Sequence, residues 1–415
     1  MTATARRLGL GLGIGALTLA VLAVPTAAAN LIGADRNEVN LTGQGGPAKP
    51  FRQATLTNFA ALPAMSFVPA SEPSGSLLGT APVNGVVAPF ADQPVQGFSG
   101  VQRNADGTFD VLTDNGFGNK ANSSDFVLRI QRVAPSFGTG SVDVLGGLNL
   151  TDPNGLVPFA LTRPDRVLTG ADFDIESMVK TKDGSYWIGD EFGPYLLHFD
   201  RAGRLLQAPV PLPGVRAPEN PAGQPNLPSS KGFEGMALAP DGRSLYPLLE
   251  GTVAGDPAGA LRLYQYDLVA GRYTDNWWTY QLDSPSNAIG DAISVDNNRM
   301  LIIERDNGEG ASALFKKIYL IDRRDRDRDG KVDKTLVADL LNINNPHNIG
   351  GFGPVFRFPF TTIEGLVILD DRTLGVLNDN NFPSSNGRTP GKPDNNEFIT
   401  IRLSANLDAD KRVLP

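Results

Sequence analysis

The sequence contains five copies of one short pattern, in which two apolar runs are separated by a turn and flanked by polar residues. In the clearest copy, Glu176 opens the first run, Asp183-Gly184 forms the turn, and Asp190 and Glu191 close the second run. Asp-Gly is typical of tight hairpin turns because glycine adopts positive φ without strain. Each copy therefore predicts a β-hairpin whose opening and closing residues lie side by side.

The other four copies have nearly the same length. They open at Ser99, Glu234, Asp291 and Glu364 and close at Asp114, Glu250, Asp306 and Asp379. The opening and closing residues are 15 positions apart in four copies and 16 in one, and successive copies begin 57 to 77 residues apart. That spacing is too long for a small solenoid repeat and suits multi-stranded blades with loops. We therefore predict an all-β fold, a single β-propeller of six blades with one copy degenerate.

The first 29 residues have the features of a secretory signal peptide. Arg6-Arg7 precede an apolar run over residues 8–24, and the small residues that follow suit cleavage after Ala29. A membrane anchor is the alternative, but the run is rich in glycine and alanine and short for a bilayer span. We expect a secreted or periplasmic protein that has no membrane association once the signal is removed.

The remainder divides into two parts. Residues 30–89 are rich in Gly, Pro, Ala and Asn, which predicts a loose N-terminal arm and a strand that closes the ring against the last blade. Residues 90–415 hold the repeats and predict the propeller domain itself.

Composition narrows the classes of partner. The chain has no cysteine, so an exported form would need a stabilising element other than disulfides, and bound metal is one candidate. Its net charge of −8 disfavours nucleic acid and anionic membranes as partners. We expect a monomer that acts on a small molecule.

The hairpin acids should converge on one mouth of the axial channel. Three glutamates open hairpins: Glu176, Glu234 and Glu364. Acids at the closing ends add Asp114, Asp190, Glu191, Glu250, Glu304, Asp306 and Asp379. Carboxylates this close repel one another unless a cation lies between them, and oxygen-only ligands favour Ca²⁺. Two histidines and no cysteine argue against zinc. The alternative is that the acids cap hairpins or pair with lysine and arginine.

A second calcium candidate is the acidic segment 325–333. Its oxygen donors, Asp325, Asp327, Asp329 and Asp333, have the spacing of an EF-hand loop, but Leu336 stands where the bidentate glutamate belongs. The segment is either a structural calcium loop or a solvated charged turn.

Several motifs occur together in one order: GFSGV, DNGFG, DFDIESMV, DEFGPYLLHFD, GFEGMALAPDG, GDAISVDNN and TTIEGLVILDD. In this order the chain resembles the phytase-like domain family, also called "esterase-like activity of phytase" proteins, over roughly residues 90–405. The resemblance implies a secreted propeller and hydrolysis of phosphoric esters. Many relatives read Pro-Glu-Gly where this chain has Ile175-Glu176-Ser177, so the carboxylate is kept and the glycine is lost.

The leading hypothesis is a secreted, calcium-dependent phosphoric-ester hydrolase. Glu176, Glu234 and Glu364 are candidates for catalytic base or metal ligand, and Arg305 and Lys231 for binding the phosphoryl charge. For both cations, a plain salt bridge to neighbouring acids is the alternative. A calcium-dependent lactonase or carboxylic-ester hydrolase and a non-catalytic propeller stabilised by calcium remain as other functions.

Overall fold

The computed structural model describes residues 51–220 and 222–414. The predicted signal peptide and the first part of the predicted arm, residues 30–50, lie outside these ranges. Regular structure within them consists of 22 β-strands and two single turns of 3₁₀-helix, Gly310–Ser312 and Ile349–Gly351. No helix in the described part of the chain has the length and apolar character needed to cross a membrane.

The strands form five four-stranded blades. Strand β1 is Thr55–Leu62. Blade 1 contains β2 (Gly100–Arg103), β3 (Phe109–Leu112), β4 (Arg129–Ser136) and β5 (Ser141–Asn149). Blade 2 contains β6 (Ile175–Lys180), β7 (Tyr186–Asp190), β8 (Tyr195–Phe199) and β9 (Val210–Pro211). Blade 3 contains β10 (Phe233–Leu238), β11 (Ser244–Leu249), β12 (Ala260–Asp267) and β13 (Arg272–Gln281).

Blade 4 contains β14 (Ala288–Ser294), β15 (Arg299–Arg305), β16 (Lys316–Asp322) and β17 (Asp333–Asp339). A small hairpin of β18 (Ile343–Asn344) and β19 (Val355–Phe356) follows. Blade 5 contains β20 (Ile363–Asp370), β21 (Thr373–Asn378) and β22 (Asn396–Arg402), and its fourth strand is β1.

The first hairpin strands of the five blades surround one axis. Strand β2 contacts β6, β6 contacts β10, β10 contacts β14, β14 contacts β20, and β20 contacts β2 again. The prediction of an all-β propeller is confirmed, but the ring has five blades rather than six. The described residues form no sixth blade, since β1 pairs antiparallel with β22, from Thr55 opposite Arg402 to Leu62 opposite Asn396. The segment before the repeats thus completes the last blade instead of starting another.

The apolar core lies between the blades. Ile188 in blade 2, Leu248 in blade 3 and Ile302 in blade 4 have no exposed surface, and each packs in an apolar cluster shared by neighbouring blades. Because strands of stacked blades bury both faces, these strands read as apolar runs in the sequence. The polar side chains of the inner strands are therefore concentrated at the axis.

The described segment ahead of the repeats packs against the ring. Phe67 and Phe90 contact Phe382 from blade 5, and Phe90 also contacts Phe117 from blade 1, at ring-centroid distances of 5.4 to 6.2 Å. These aromatic contacts bind the segment to loops of the first and last blades.

Candidate functional site

Four of the five inner strands carry a β-bulge at the same place. The register with the neighbouring strand shifts by one residue in β6, β10, β14 and β20. The extra residues are Glu176, Glu234, Gly290 and Glu364. A bulge bends the strand and redirects the side chain of its extra residue. The three glutamates meet at the axis for this reason.

A second set of residues lies at or just beyond the ends of the partner strands, one in each blade. These positions are occupied by Asp114, Glu191, Glu250, Arg305 and Asp379. The pattern predicted Asp291 and Asp306 as the pair of the fourth blade, but the structure has Gly290 as the extra residue of the bulge and Arg305 at the corresponding end of the partner strand. A one-residue change of register moves a side chain to another face, so this blade contributes a cation to the axis instead of two acids.

Arg305 lies at the centre of the resulting cluster. Its Nη2 atom is 3.2 Å from Glu364 Oε1, 3.4 Å from Glu250 Oε1 and 3.6 Å from Glu234 Oε1. Lys231 Nζ binds the other oxygen of Glu250. Arg305 is buried, whereas 42% of the Lys231 side chain is exposed, so the lysine lies nearer to solvent. The structure therefore brings both cations predicted from the sequence into contact with the acids.

The acids form two groups whose oxygens could share a cation. Carboxylate oxygens of Asp114, Asp174 and Glu176 lie within 4.8 Å of one another, as do those of Glu191, Glu234 and Glu250. Ca²⁺ binds oxygens at 2.3–2.6 Å, so ligands on opposite sides of the ion are separated by about 5 Å. The donor atoms and their spacing fit such an ion.

Some of these oxygens have no hydrogen-bond partner although they are buried. Glu176 Oε2, Glu191 Oε1 and Glu234 Oε1 form no hydrogen bond with any residue that the structure describes. A buried charged oxygen without a partner is strongly destabilising unless it is protonated or binds a cation. These atoms therefore support cation binding independently of the acid count.

The cluster has an excess of negative charge. Its eight buried acids are Asp114, Asp174, Glu176, Glu191, Glu234, Glu250, Glu364 and Asp379. Arg305 and Lys231 supply two positive charges, which leaves six acids without a cationic counterpart when all are ionised. Burial, reinforced by neighbouring acids, raises the pKa of Asp114, Glu176, Glu191 and Glu234 well above the usual range. The pKa of Asp379 is raised to about 7 for the same reasons. The centre must therefore bind protons or a metal near neutral pH.

Three of the predicted metal ligands lie outside this cluster. Asp190 accepts hydrogen bonds from the backbone N–H groups of Asp174 (2.9 Å) and Gly193 (2.6 Å), as expected for a residue that caps a hairpin. Glu304 accepts from the Tyr280 hydroxyl and from Lys334 Nζ, both at 2.7 Å.

Asp306 is the third. It pairs with Lys316 Nζ at 2.9 Å and accepts from the Leu314 N–H at 2.8 Å. The contacts of Asp190, Glu304 and Asp306 therefore agree with the alternative to metal binding, in which the acids cap hairpins or pair with lysine and arginine.

One member of the cluster, Asp174, was not among the acids predicted to meet at the axis. Asp174 precedes the bulge by two residues, and alternate residues of an extended chain point to one side. The Asp174 carboxylate accepts a hydrogen bond from Asn115 Nδ2 at 2.7 Å and another from the Ser230 hydroxyl. The Asp-x-Glu spacing was therefore the signal available for it.

The acidic segment 325–333 forms a turn at the edge of blade 4. Carboxylate oxygens of Asp325, Asp327 and Asp333 lie within 4.8 Å of one another. Asp329 instead lies 3.7 Å from Lys331 Nζ, and the Asp329 N–H donates to Asp325. Three of the four predicted ligands thus converge.

A known protein family matches most of the chain. The family described as "Phytase-like: Esterase-like activity of phytase" matches residues 93–382. An uncharacterized secreted protein of Arthroderma benhamiae is 32% identical over 106 residues, a match that covers 20% of this chain and 20% of that protein. The chain thus spans about a fifth of the length of this curated relative.

Solved structures give more distant likenesses. A luciferin-regenerating enzyme has 9% identity and a TM-score of 0.37, with 85% of this chain and 99% of that one covered. A putative 6-phosphogluconolactonase from Bacteroides uniformis has 14% identity and a TM-score of 0.34, with 71% and 81% covered. A GH43 β-1,3-galactosidase has 10% identity and a TM-score of 0.42, with 80% and 59% covered.

Proposed function

Because this chain belongs to the phytase-like family, we propose that it is an exported hydrolase of phosphoric esters that works with calcium bound in its axial carboxylate centre. One observation carries the proposal. The buried carboxylates of Asp114, Asp174 and Glu176, which have no basic partner among the described residues, lie beside the buried guanidinium of Arg305. The carboxylates can hold a cation, and the guanidinium can bind an anion.

Asp114, Asp174 and Glu176 are the proposed calcium ligands. No lysine or arginine among the described residues forms an ion pair with them, whereas Arg305 and Lys231 already contact the other group. Bound calcium would polarise a phosphoryl oxygen and lower the pKa of a bound water.

Arg305 and Lys231 are proposed to bind the phosphoryl group. Arg305 Nε has no hydrogen-bond partner although it is buried, so one donor of the guanidinium is free for a substrate oxygen. Lys231 is partly exposed, which suits a residue that meets substrate at the entrance. Both donors would offset negative charge that develops on the phosphoryl oxygens.

Glu234 is proposed as the proton acceptor. Its Oε1 atom is unpartnered and lies 3.6 Å from Arg305 Nη2, close to where a phosphoryl group would bind. Glu364, in contrast, accepts a hydrogen bond from the Ser99 hydroxyl at 3.2 Å as well as from Arg305, so we assign it a positioning role.

One observation favours a second candidate, a lactonase or carboxylic-ester hydrolase. The centre has six more acids than cations, which would repel a phosphate dianion more than a neutral ester. The same cation would polarise a carbonyl oxygen.

The two activities can be distinguished with one pair of substrate panels. Purified protein is assayed on phosphate monoesters, including phytate, and on lactones and aryl esters, with calcium and after chelation. We expect calcium-dependent phosphate release that falls at least a hundredfold in Glu234→Gln, since a lost acid–base group typically costs 10²–10⁴. Glu72→Gln, an exposed isosteric change, should retain full activity. Turnover of lactones alone would replace the proposal with the second candidate.

Metal analysis provides a readout other than activity. Isothermal titration should show calcium binding to the wild type, and binding at least tenfold weaker in Glu176→Gln, because a charged ligand is lost. If neither panel is turned over while calcium still raises the melting temperature, the protein is a binding propeller and the enzymatic proposal is wrong.

A further inference from the structure

A cavity of about 700 Å³ opens at the end of the axial channel opposite the carboxylates. Every blade contributes to it, through residues 101–105, 179–182, 236–242, 293–294 and 366–368, and residues 412–414 add one wall. Along β6 and its turn, Lys182 is six residues beyond Glu176, which corresponds to about 20 Å of extended chain. The deepest lining residues, Met236 and Leu366, are two residues beyond Glu234 and Glu364, so the cavity extends from this end along the axis towards the carboxylates.

Its walls are apolar and deep. Val101, Met236 and Leu366 line it and have exposed fractions of 2%, 1% and 0%. Cavities of 300–1,000 Å³ with apolar walls and a few polar groups are typical of small-molecule sites. The volume and lining suit an alkyl chain or an aromatic ring.

One polar group in the lining has no partner. Ser294 Oγ belongs to a side chain that is 6% exposed, and no described atom forms a hydrogen bond with it. Burying a hydroxyl without a partner is destabilising. A ligand atom that bonds this hydroxyl would remove that destabilisation.

The rim is basic although the chain as a whole is acidic. Four basic residues line the cavity, Arg103, Lys180, Lys182 and Arg412, against one acid, Asp241. Lys180 pairs with Asp110 and Arg412 with Asp410, but Arg103 and Lys182 are exposed and form no ion pair with another described residue. On a chain of net charge −8, this is a local positive field that attracts anions.

We propose that this cavity binds an amphipathic organic carboxylate. Its apolar body lies against the inner-strand walls, its carboxylate lies between Arg103 and Lys182, and the Ser294 hydroxyl contributes one hydrogen bond. The site is independent of the proposed hydrolytic centre, because it shares no residue with the carboxylate cluster.

The test uses decanoate and its uncharged analogue decanamide, titrated calorimetrically into the full chain below their aggregation concentrations. We expect one decanoate per chain and binding of decanamide at least about tenfold weaker, since the charged head is lost. Arg103→Glu/Lys182→Glu should weaken decanoate binding at least about tenfold, because two exposed attractions become repulsions. Arg272→Glu/Lys392→Glu makes the same change of net charge at exposed positions outside the cavity and should bind as the wild type does.

A second variant tests the cavity itself. Ile293 is half-buried in the lining, so Ile293→Trp fills part of the volume from its edge and should abolish decanoate binding at an unchanged melting temperature. Glu234→Gln should bind decanoate normally, which separates this site from the hydrolytic centre. Absence of decanoate binding, equal binding of decanamide, or wild-type binding by the rim variant would each overturn the proposal.

Discussion

Arg305 occupies the position at which the other four blades carry a carboxylate. This single change converts a ring of like charges into a centre with an acidic side and a neutralised side. In the sequence Arg305 stands between two acids, Glu304 and Asp306, but in the structure these neighbours pair with lysines elsewhere. The acids that it contacts come from blades 3 and 5, and their proximity depends on the closed ring.

Replacing Arg305 should therefore destabilise the metal-free protein. In Arg305→Met, Glu234, Glu250 and Glu364 lose their shared cation while remaining buried, and removing one partner of a buried pair costs about 3–5 kcal/mol. We expect a loss of this size in the free energy of unfolding measured with urea at pH 7, and a larger stabilisation by added calcium than in the wild type. Arg272→Met, at an exposed position, is the control. Equal stability of Arg305→Met and wild type would show that these glutamates do not depend on the guanidinium.

The hairpin is the element that the sequence predicts best. Its length, turns and polar ends were all visible in the five copies, because DG turns and apolar runs are local signals. The bulge was not visible, since an extra residue leaves no compositional mark, and the fourth blade was consequently misaligned by one residue. Ser177 stands where many relatives have glycine. Its hydroxyl donates a hydrogen bond to the Phe233 carbonyl of blade 3 at 2.8 Å, so the side chain fits between blades 2 and 3.

The bulge glycine of the fourth blade should not tolerate a side chain. A Cβ atom at Gly290 would lie 1.9 Å from the Ile363 carbonyl oxygen of blade 5, so β14 and β20 would have to separate. We expect Gly290→Ala to lower the free energy of unfolding by about 1–3 kcal/mol, as overpacking does, and calcium affinity to fall with it. Gly138→Ala is the matched control, because a Cβ there has no neighbour within 4 Å. A Gly290→Ala protein as stable as wild type would contradict the close approach of the two strands.

For the whole molecule, the sequence predicted the propeller but not its blade count. Each blade is encoded locally, whereas β1 pairs with residues more than 330 positions away. The sequence predicted a ring-closing strand ahead of the repeats, but no local pattern showed that this strand would complete blade 5 and leave the ring with five blades. The same limit applies to the site: the hairpin-opening glutamates were predictable, but their sorting into two groups depends on contacts across the axis.

The acidic axis should make the stability of the whole protein depend on pH and calcium together. Asp114, Glu176, Glu191 and Glu234 have pKa values raised by burial, and that of Asp379 is raised to about 7. These carboxyl groups have pKa values near 4 in the unfolded chain. At any pH between those values and the raised pKa values of the folded state, the folded protein binds more protons than the unfolded chain, so its stability falls as pH rises.

The measurement is the melting temperature of metal-free protein from pH 5 to 8.5, repeated with saturating calcium. We expect a steady decrease without the ion and a much flatter profile with it, because calcium binds the ionised carboxylates of the folded state. If the melting temperature of the metal-free protein rose with pH, these acids would not be protonated in the folded protein.

The pairing of β1 with β22 also determines when the ring can close during folding. During synthesis residues 55–62 emerge more than 330 residues ahead of residues 396–402, so the seam stays open throughout that interval. Until it closes, β22 presents a bare hydrogen-bonding edge to neighbouring chains. A shortened version beginning after Leu62 would keep that edge permanently, and its characteristic fate would be association through blade 5.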